Sequence, residues 1–165
     1  MRAVVSDTSV INYLAAIGQA ELLSIQFGKI YVPPAVWREI HAAFNLPGMA
    51  AADSAHKSGW LVVQEPKPSQ TLNQLFADLD PGEAEAIALA CELKPAVVLL
   101  DESDGRLEAR RLRLTIIGTV GILAAARQAG KLKQIKPFLD RLMKDHRFRL
   151  SRELYHQLIV GDITD

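Results

Sequence analysis

Short apolar runs separated by helical segments constrain this fold more than any other feature of the sequence. Each run has the length of a buried strand, and between runs the apolar residues recur at helical spacing. Strands that alternate with helices favour a parallel sheet sandwiched between helices. The chain has 165 residues, which suits one domain over residues 1–165. The runs are RAVVS (2–6), KIYVPP (29–34), WLVVQE (60–65, a candidate edge strand), PAVVLLDE (95–102) and TIIG (115–118).

Composition limits the classes of protein to which the chain can belong. Lysine plus arginine and aspartate plus glutamate both number 19, so any nucleic-acid surface has to be a local patch. The single cysteine excludes an internal disulfide framework and is compatible with a reducing cytosol. No segment approaches the roughly 18 apolar residues of a membrane span, and the first ten residues do not resemble a signal peptide. We therefore expect a cytoplasmic protein with no membrane partner.

Acidic residues follow two of the predicted strands and open one helix. Asp7 ends the run AVVSD and Asp101 ends VVLLD, and the carboxyl ends of parallel strands form the crevice where ligands bind. The helix in LDPGEAEAIALA (79–90) begins with Asp80, Glu83 and Glu85 within six residues. Two interpretations are open. Either these acids merely cap the helix and complement its dipole, or one of them points into a site that holds a cation.

Converging carboxylates need a positive partner, because their mutual repulsion raises their pKa values. A ligand set of oxygens without histidine or cysteine selects a hard ion, so Mg²⁺ or Mn²⁺ is expected. Such an ion can generate a nucleophile from bound water and stabilise charge at phosphorus. Asp7, Glu83 and Asp101 therefore predict a metal-dependent phosphodiester hydrolase. Thr8 and Ser9 could hold a carboxylate or a metal-bound water, and they are equally well explained as helix N-cap residues.

Four segments of the chain resemble the PIN-domain family, and most closely its prokaryotic VapC-like branch of predicted nucleic-acid-binding proteins. The similarity runs from about Val4 to Leu158, with the motifs in the expected order. It implies a three-layer α/β/α sandwich with a central parallel sheet and an acidic pocket that binds Mg²⁺ or Mn²⁺. It also implies ribonuclease activity on single-stranded RNA, a toxin-like role with a possible antitoxin partner, and a homodimer. The segments are VVSDTSVINYLA (4–15), VPPAVWREI (32–40), LDPGEAEAIALA (79–90) and VVLLDESDGRLEARRLRLTIIGTVGILAAA (97–126).

The resemblance assigns four acids to the catalytic site. Asp7 matches the first acid of the family and Glu39 the second, although helix position alone predicts that Glu39 is a solvated residue. Glu83 matches the third acid. Glu85 lies about 200° away around the helix, so both glutamates cannot easily face one metal, and Glu85 is the alternate to Glu83. Asp101 matches the last acid. Within the run DESD (101–104), Glu102 and Asp104 are close enough to compete with Asp101 or to support it.

The same chain offers candidate contacts to nucleic acid and to a second copy. Arg106, Arg110 and Arg113 have the spacing of one helix face, so they are either an RNA-phosphate surface or a solvated face paired with nearby glutamates. Trp37 and Trp60 are expected to be core anchors, with base stacking as the other interpretation. A possible dimer contact is an apolar stripe that burial in the monomer would explain equally well. It comprises Val36, Ile40, Ala43, Phe44 and Met49.

Two alternatives to a ribonuclease are a phosphoaspartyl protein and a non-catalytic nucleic-acid-binding module. A dehalogenase-type hydrolase requires a second acid that SDTSV lacks, and a receiver domain requires a lysine after LTIIG, where none follows. A binding module would retain the fold and use the acids only as surface charge. None of the four acidic positions is neutralised in this sequence, which argues against a loss of chemistry.

Overall fold

A computed structural model describes residues 2–42, 46–94 and 96–163 of the chain. Five parallel strands form one sheet in the order β3-β2-β1-β4-β5, with helices on both faces. This confirms the predicted three-layer α/β/α fold, and WLVVQE contributes the edge strand β3. The strands are β1 (Ala3–Ser6), β2 (Ile30–Val32), β3 (Leu61–Val63), β4 (Ala96–Leu99) and β5 (Thr115–Ile117).

Ten helices lie within the described ranges. Helix α5 has the weakest sequence signal, because the buried apolar residues among its nine are only Leu72 and Leu75. Its start is a conventional cap, since the Ser69 hydroxyl accepts a hydrogen bond from the Leu72 N–H. The helices are α1 (Thr8–Ala16), α2 (Leu22–Phe27), α3 (Pro34–Ala42), α4 (Pro47–Lys57), α5 (Gln70–Asp78), α6 (Pro81–Glu92), α7 (Ser103–Arg111), α8 (Thr119–Gln128), α9 (Lys136–Asp145) and α10 (Arg152–Ile163).

Alternation along the central strands builds two apolar layers, one on each side of the sheet. On β1, Val4 belongs to one buried cluster and Val5 to the other, and Val97 and Val98 divide in the same way on β4. Because successive strand side chains point to opposite faces, one short strand supplies both cores. Trp37 and Trp60 pack partly buried against the first cluster, as expected of core anchors.

The predicted dimer stripe is occupied within the monomer where the structure describes it. Val36 and Ile40 are fully buried, and Met49 packs against the same core. Ala43 and Phe44 lie outside the described residues. Burial in the monomer therefore accounts for Val36 and Ile40, while Met49 is only partly buried. Among the described residues, every helix is too short or too polar to span a bilayer.

The register of β1 and β4 determines where the two strand-end acids lie. These strands pair in parallel with Ser6 opposite Leu99, and the Asp7 N–H donates to the Leu99 carbonyl at 3.1 Å. Asp7 and Asp101 therefore emerge at the same edge of the sheet, as predicted from the sequence.

Candidate active site

A cleft of about 560 Å³ opens at the carboxyl edge of the sheet. Seven carboxylates line it and, among the described residues, no lysine or arginine does. Such a concentration of one charge sign focuses the electrostatic field and attracts cations. The lining residues are Asp7, Thr8, Ser9, Asn12, Tyr13, Glu39, Asp78, Leu79, Asp80, Glu83, Glu102, Ser103 and Asp104.

Asp7 lies at the base of the cleft and is only 2% exposed. Its carboxylate caps α1 by accepting from the Val10 N–H, and the Ser9 hydroxyl donates to it at 2.8–3.0 Å. Burial raises the pKa of Asp7 well above its ordinary value, against these hydrogen bonds, and the charges of Asp101 and Glu83 raise it further. The N-cap of α1 is thus Asp7 itself, and Ser9 holds a carboxylate, which was one of its three predicted roles.

Glu39 reaches the cleft from α3, although its helix position suggested a solvated residue. The Thr8 hydroxyl and the Gly82 N–H both donate to its carboxylate, the latter at 2.9 Å. These bonds fix Glu39 between the starts of α1 and α6. A single sequence carries no signal for this, because the partners are 31 and 43 residues away.

Glu83 and Glu85, the two alternates on α6, lie in different environments. Glu83 lines the cleft, whereas the Glu85 carboxylate accepts from the Ala35 N–H at 2.8 Å in the first turn of α3. Asp80 caps α6 by accepting from the Glu83 N–H at 2.9 Å, as predicted. The geometry therefore gives Glu85 a role in joining two helices and leaves Glu83 facing the other acids.

Glu83 is 7% exposed, and its Oε1 is buried with no hydrogen-bond partner among the described residues. Burial raises its pKa to about 7, with further contributions from the charges of Asp80, Glu102 and Asp104. The position of Glu83 in the first turn of α6 predicts that the helix dipole keeps it ionised without metal, and its raised pKa contradicts this prediction. Desolvation and neighbouring acids outweigh the helix dipole, whose effect is usually below about 1 kcal/mol.

Asp101 lies at the same edge but does not line the cleft surface. It accepts from the Thr119 N–H at 2.9 Å and from the Thr119 hydroxyl at 2.6 Å, at the start of α8. Burial raises the pKa of Asp101, while the Thr119 hydrogen bonds and the charge of Arg106 oppose that rise. Its neighbours Glu102 and Asp104 are exposed and line the cleft. The DESD run thus supplies one carboxylate that Thr119 holds and two exposed carboxylates that line the cleft.

Each of the four acids assigned by the resemblance meets the amino end of a helix. Asp7 caps α1, Glu39 accepts from the first turn of α6, and Asp101 accepts from the first residue of α8. The fourth acid, Glu83, lies against Gly105 in the first turn of α7. Helix amino ends carry partial positive charge, which partly offsets the repulsion among these acids.

Glycines leave the space that three of these approaches need. A Cβ atom on Gly105 would lie 2.8 Å from Glu83 Oε1, and one on Gly118 would lie 2.7 Å from Asp101 Oδ1. A Cβ on Gly82 would lie 2.5 Å from Glu39 Oε2. The motifs PGE, SDG and IGT contain these glycines, and this is the signal that sequence reasoning missed. Asn12, Tyr13 and Asp78 also line the cleft without having been predicted.

The three arginines proposed as one RNA-binding face do not share one. Helix α7 ends at Arg111, and Arg113 follows in a left-handed conformation with φ of 58°. Arg113 lines a separate cleft with Arg2 and Thr115 at the amino ends of the strands, opposite the acids. Arg106 is half-buried and donates to the Leu100 carbonyl at 2.8 Å. The prediction of a common face is wrong because a helical period was extended past the end of the helix.

The acids fit a hard divalent cation by their chemistry, although they are not arranged as a complete ligand set. Within the described ranges, no three His, Cys, Asp or Glu side chains converge closely enough to hold a metal ion. The candidate ligands are nevertheless all oxygens, which Mg²⁺ and Mn²⁺ prefer. The unpartnered Glu83 oxygen and the raised pKa values of Asp7, Glu83 and Asp101 both indicate missing positive charge.

Comparison with protein families gives one match that spans nearly the whole chain. A family model described as a PIN domain matches residues 3–161. A search of the curated proteins finds no match.

Proposed function

This chain belongs to the PIN-domain family, whose members are generally nucleases, and we propose that it is a metal-dependent endoribonuclease that cleaves single-stranded RNA. The observation that carries the proposal is the buried Glu83 carboxylate with an unpartnered oxygen, in a cleft that it shares with Asp7. A buried acid without a partner is costly to the fold, and a bound cation would supply that partner.

In the proposed reaction, Asp7, Glu83 and Asp101 would hold Mg²⁺ or Mn²⁺, with Glu39 as the fourth acid. PIN nucleases typically use divalent metals, and such an ion supplies Lewis acidity and an activated water when it is bound.

The neighbouring polar groups position these acids. Ser9 orients both oxygens of Asp7, Thr8 and the Gly82 N–H hold Glu39, and Thr119 holds Asp101. These hydrogen bonds fix the carboxylates without neutralising them, which is what pre-organised ligands need.

The raised pKa values fit a site that binds a cation in exchange for protons. At neutral pH, Glu83 is partly protonated because its pKa is about 7. A divalent ion would favour the ionised form of each nearby acid and would release the proton from Glu83. Glu85 and Asp104 are left with supporting roles, the first between α3 and α6 and the second at the rim.

Several finer predictions rest on the resemblance or on composition alone. The VapC-like branch, a toxin-like role, an antitoxin partner, a homodimer and a cytoplasmic location stay predictions. A non-catalytic PIN-fold binding module is the alternative function. The cleavage experiment below distinguishes it, since a binding module would bind RNA and leave it intact.

The direct test is cleavage of labelled single-stranded RNAs with Mg²⁺ or Mn²⁺ by the wild type, Asp7→Asn and Asp53→Asn. Asp53 is a matched control because it is an exposed acid that pairs with His41. We expect Asp7→Asn to lose roughly 100-fold or more in rate, since metal ligation supplies several kcal/mol. Asp53→Asn and the wild type should cleave equally, and EDTA should stop both. Cleavage that survives EDTA, or that Asp7→Asn retains, would contradict the proposal.

A further inference from the structure

An RNA strand must bring its phosphates to a cleft that repels them. The cleft is lined by seven carboxylates, and the chain has no net positive charge to attract a polyanion. Of the three arginines first considered, Arg106 is bound to a backbone carbonyl and Arg113 lies at the opposite end of the sheet, which leaves Arg110 alone as an exposed cation. A nuclease built on this cleft therefore needs another group of cations close to its mouth.

The segment after α9 carries two exposed arginines. In the sequence HRFRL (146–150), apolar and basic residues alternate. Phe148 and Leu150 pack partly buried against the core, whereas Arg147 and Arg149 are exposed. The two arginines are therefore the solvent-facing residues of this segment.

Tyr13 connects this segment to the acidic cleft. The Phe148 ring packs edge-on against the Tyr13 ring, with centroids 5.0 Å apart, and Tyr13 lines the cleft. His146 lines a smaller cavity of about 140 Å³ together with Asn12 and Tyr13, both of which also line the acidic cleft. The segment is thus continuous with the wall of the cleft.

The backbone of the segment is held in place, and its two arginines have no acidic partner in the described part of the chain. The N–H groups of His146 and Phe148 both donate to the Leu142 carbonyl at 3.1 Å. Arg147 adopts a left-handed conformation with φ of 54°, which is uncommon for a residue with a side chain. Among the described residues, neither Arg147 nor Arg149 forms an ion pair with a carboxylate.

We propose that Arg147 and Arg149 form a phosphate-binding rim that holds the backbone of a single RNA strand beside the acidic cleft. Guanidinium groups pair with phosphate oxygens in a bidentate manner, and such contacts position a strand without reading its sequence. The inference rests on the proposed function, because it identifies how the same site holds its RNA. It replaces the surface that helical spacing had suggested on α7.

The test compares two double variants that remove the same charge at opposite ends of the sheet. Arg147→Gln/Arg149→Gln changes the rim, and Arg2→Gln/Arg113→Gln changes the distant cleft. Arg113 is a close match for Arg147, since both are exposed and have φ between 54° and 58°. Binding of a fluorescently labelled 20-nucleotide RNA is measured by anisotropy in EDTA over a range of salt concentrations. Because EDTA prevents metal-dependent cleavage, this readout does not depend on catalysis.

We expect the rim variant to bind roughly tenfold more weakly than the wild type. Its salt slope should fall by about 1.4, because each lost contact to a single strand removes about 0.7. Arg147→Lys/Arg149→Lys should retain most of the slope, and the distant variant should match the wild type. Equal slopes in the rim and distant variants would overturn the proposal, as would a wild type that does not bind RNA in EDTA. Failure of the proposed function shows separately, as intact RNA in the Mg²⁺ assay, and thermal melting of each variant checks its folding.

Discussion

Glu83 and Asp162 are buried to the same extent, and the protein treats them in opposite ways. Each is 7% exposed. Glu83 has an oxygen without a partner and a pKa raised to about 7. Asp162 has partners on both oxygens, and its pKa is lowered. Burial alone therefore does not decide the charge state of a carboxylate in this fold.

Asp162 connects the last three helices through hydrogen bonds to both of its carboxylate oxygens. Arg127 donates to Asp162 at 2.6 Å, and the N–H groups of Ile135 and Lys136 donate to it at the start of α9. Burial raises the pKa of Asp162, but the hydrogen bonds from Arg127 and the two N–H groups outweigh that effect. The protein's own groups thus stabilise the ionised form of Asp162 against the effect of burial.

The Glu83 region lacks such a partner. Its neighbours Asp80, Glu102 and Asp104 are acids, and each of them raises its pKa. In the described part of the chain, the buried carboxylate of Asp162 pairs directly with an arginine. Glu83 at the carboxyl edge of the sheet has no such partner, which is expected of a site that takes its positive charge from outside.

Removal of each acid should separate the two regions, and Asp162→Asn should give the largest effect. This variant leaves the partly buried Arg127 without its counter-ion, so the free energy of unfolding should fall by about 3 kcal/mol. Glu83→Gln removes an unfavourable charge and should leave the stability in EDTA unchanged or slightly higher. Urea unfolding at pH 7.5 measures both. A larger loss in Glu83→Gln than in Asp162→Asn would reverse the comparison.

The pH dependence of stability should show the same contrast. Glu83 has a pKa of about 7 in the folded protein against an ordinary 4.5, so the folded state binds more protons between these values. Stability in EDTA should therefore fall as pH rises from about 5 to 7, by on the order of 2 kcal/mol from Glu83. Asp162 has a lowered pKa and contributes no slope in this range.

Glu83→Gln isolates this contribution. The pKa values of His41, Asp7 and Asp101 are raised as well, so their contributions to the free energy of unfolding also fall as pH rises. The difference between the wild type and Glu83→Gln cancels the contributions that the two proteins share. Unfolding curves at pH 5 and pH 8 measure that difference. Identical pH slopes for the two proteins would show that the pKa of Glu83 is not raised in the folded protein.

Gly105→Ala should disturb the acidic region alone. The added Cβ would meet Glu83 Oε1 at 2.8 Å, so the carboxylate must move away from α7. We expect a loss of about 1 kcal/mol in stability, as for modest overpacking, together with a clear loss of cleavage. Gly121→Ala on α8 is the control, because its Cβ would meet only Ile117 Cγ2, at 3.2 Å. Full cleavage by Gly105→Ala would indicate that the position of Glu83 is unimportant.

Asp80→Ala should have the smallest effect and should change stability without changing chemistry. Asp80 caps α6 through the Glu83 N–H, and loss of such a cap usually costs about 1 kcal/mol. Cleavage measured well below the melting temperature should stay within about twofold of the wild type. A loss of cleavage as large as that expected of Asp7→Asn would place Asp80 in the site rather than at the cap.

Local signals in the sequence were sufficient for the sheet and for part of the site. Apolar runs located all five strands, and parallel pairing of β1 with β4 brought Asp7 and Asp101 to one edge. The cap at Asp80 follows from its neighbours in sequence, so it was also predictable. These features depend on residues close together in the chain or on a general rule of parallel sheets.

The remaining features depend on contacts between distant segments. Glu39 is held by Thr8 and Gly82, and Glu85 by the start of α3, which no local pattern reveals. The raised pKa of Glu83 arises mainly from desolvation, which depends on the tertiary fold. The charge of Asp80 at the cap of the same helix and those of Glu102 and Asp104 at the start of α7 raise it further. Resemblance to a family supplied Glu39, and residue periodicity alone misplaced Arg113.

Titration of Mn²⁺ into the wild type and Glu83→Gln by calorimetry asks directly whether the uncompensated acids form a cation site. At pH 6.5 we expect one saturable binding event in the wild type, with proton release seen as a heat that depends on the buffer. Glu83→Gln should bind at least about tenfold more weakly and should lose most of the proton release. Asp53→Asn should behave as the wild type. Equal Mn²⁺ affinity and equal proton release in the wild type and Glu83→Gln would show that Glu83 takes no part in a cation site.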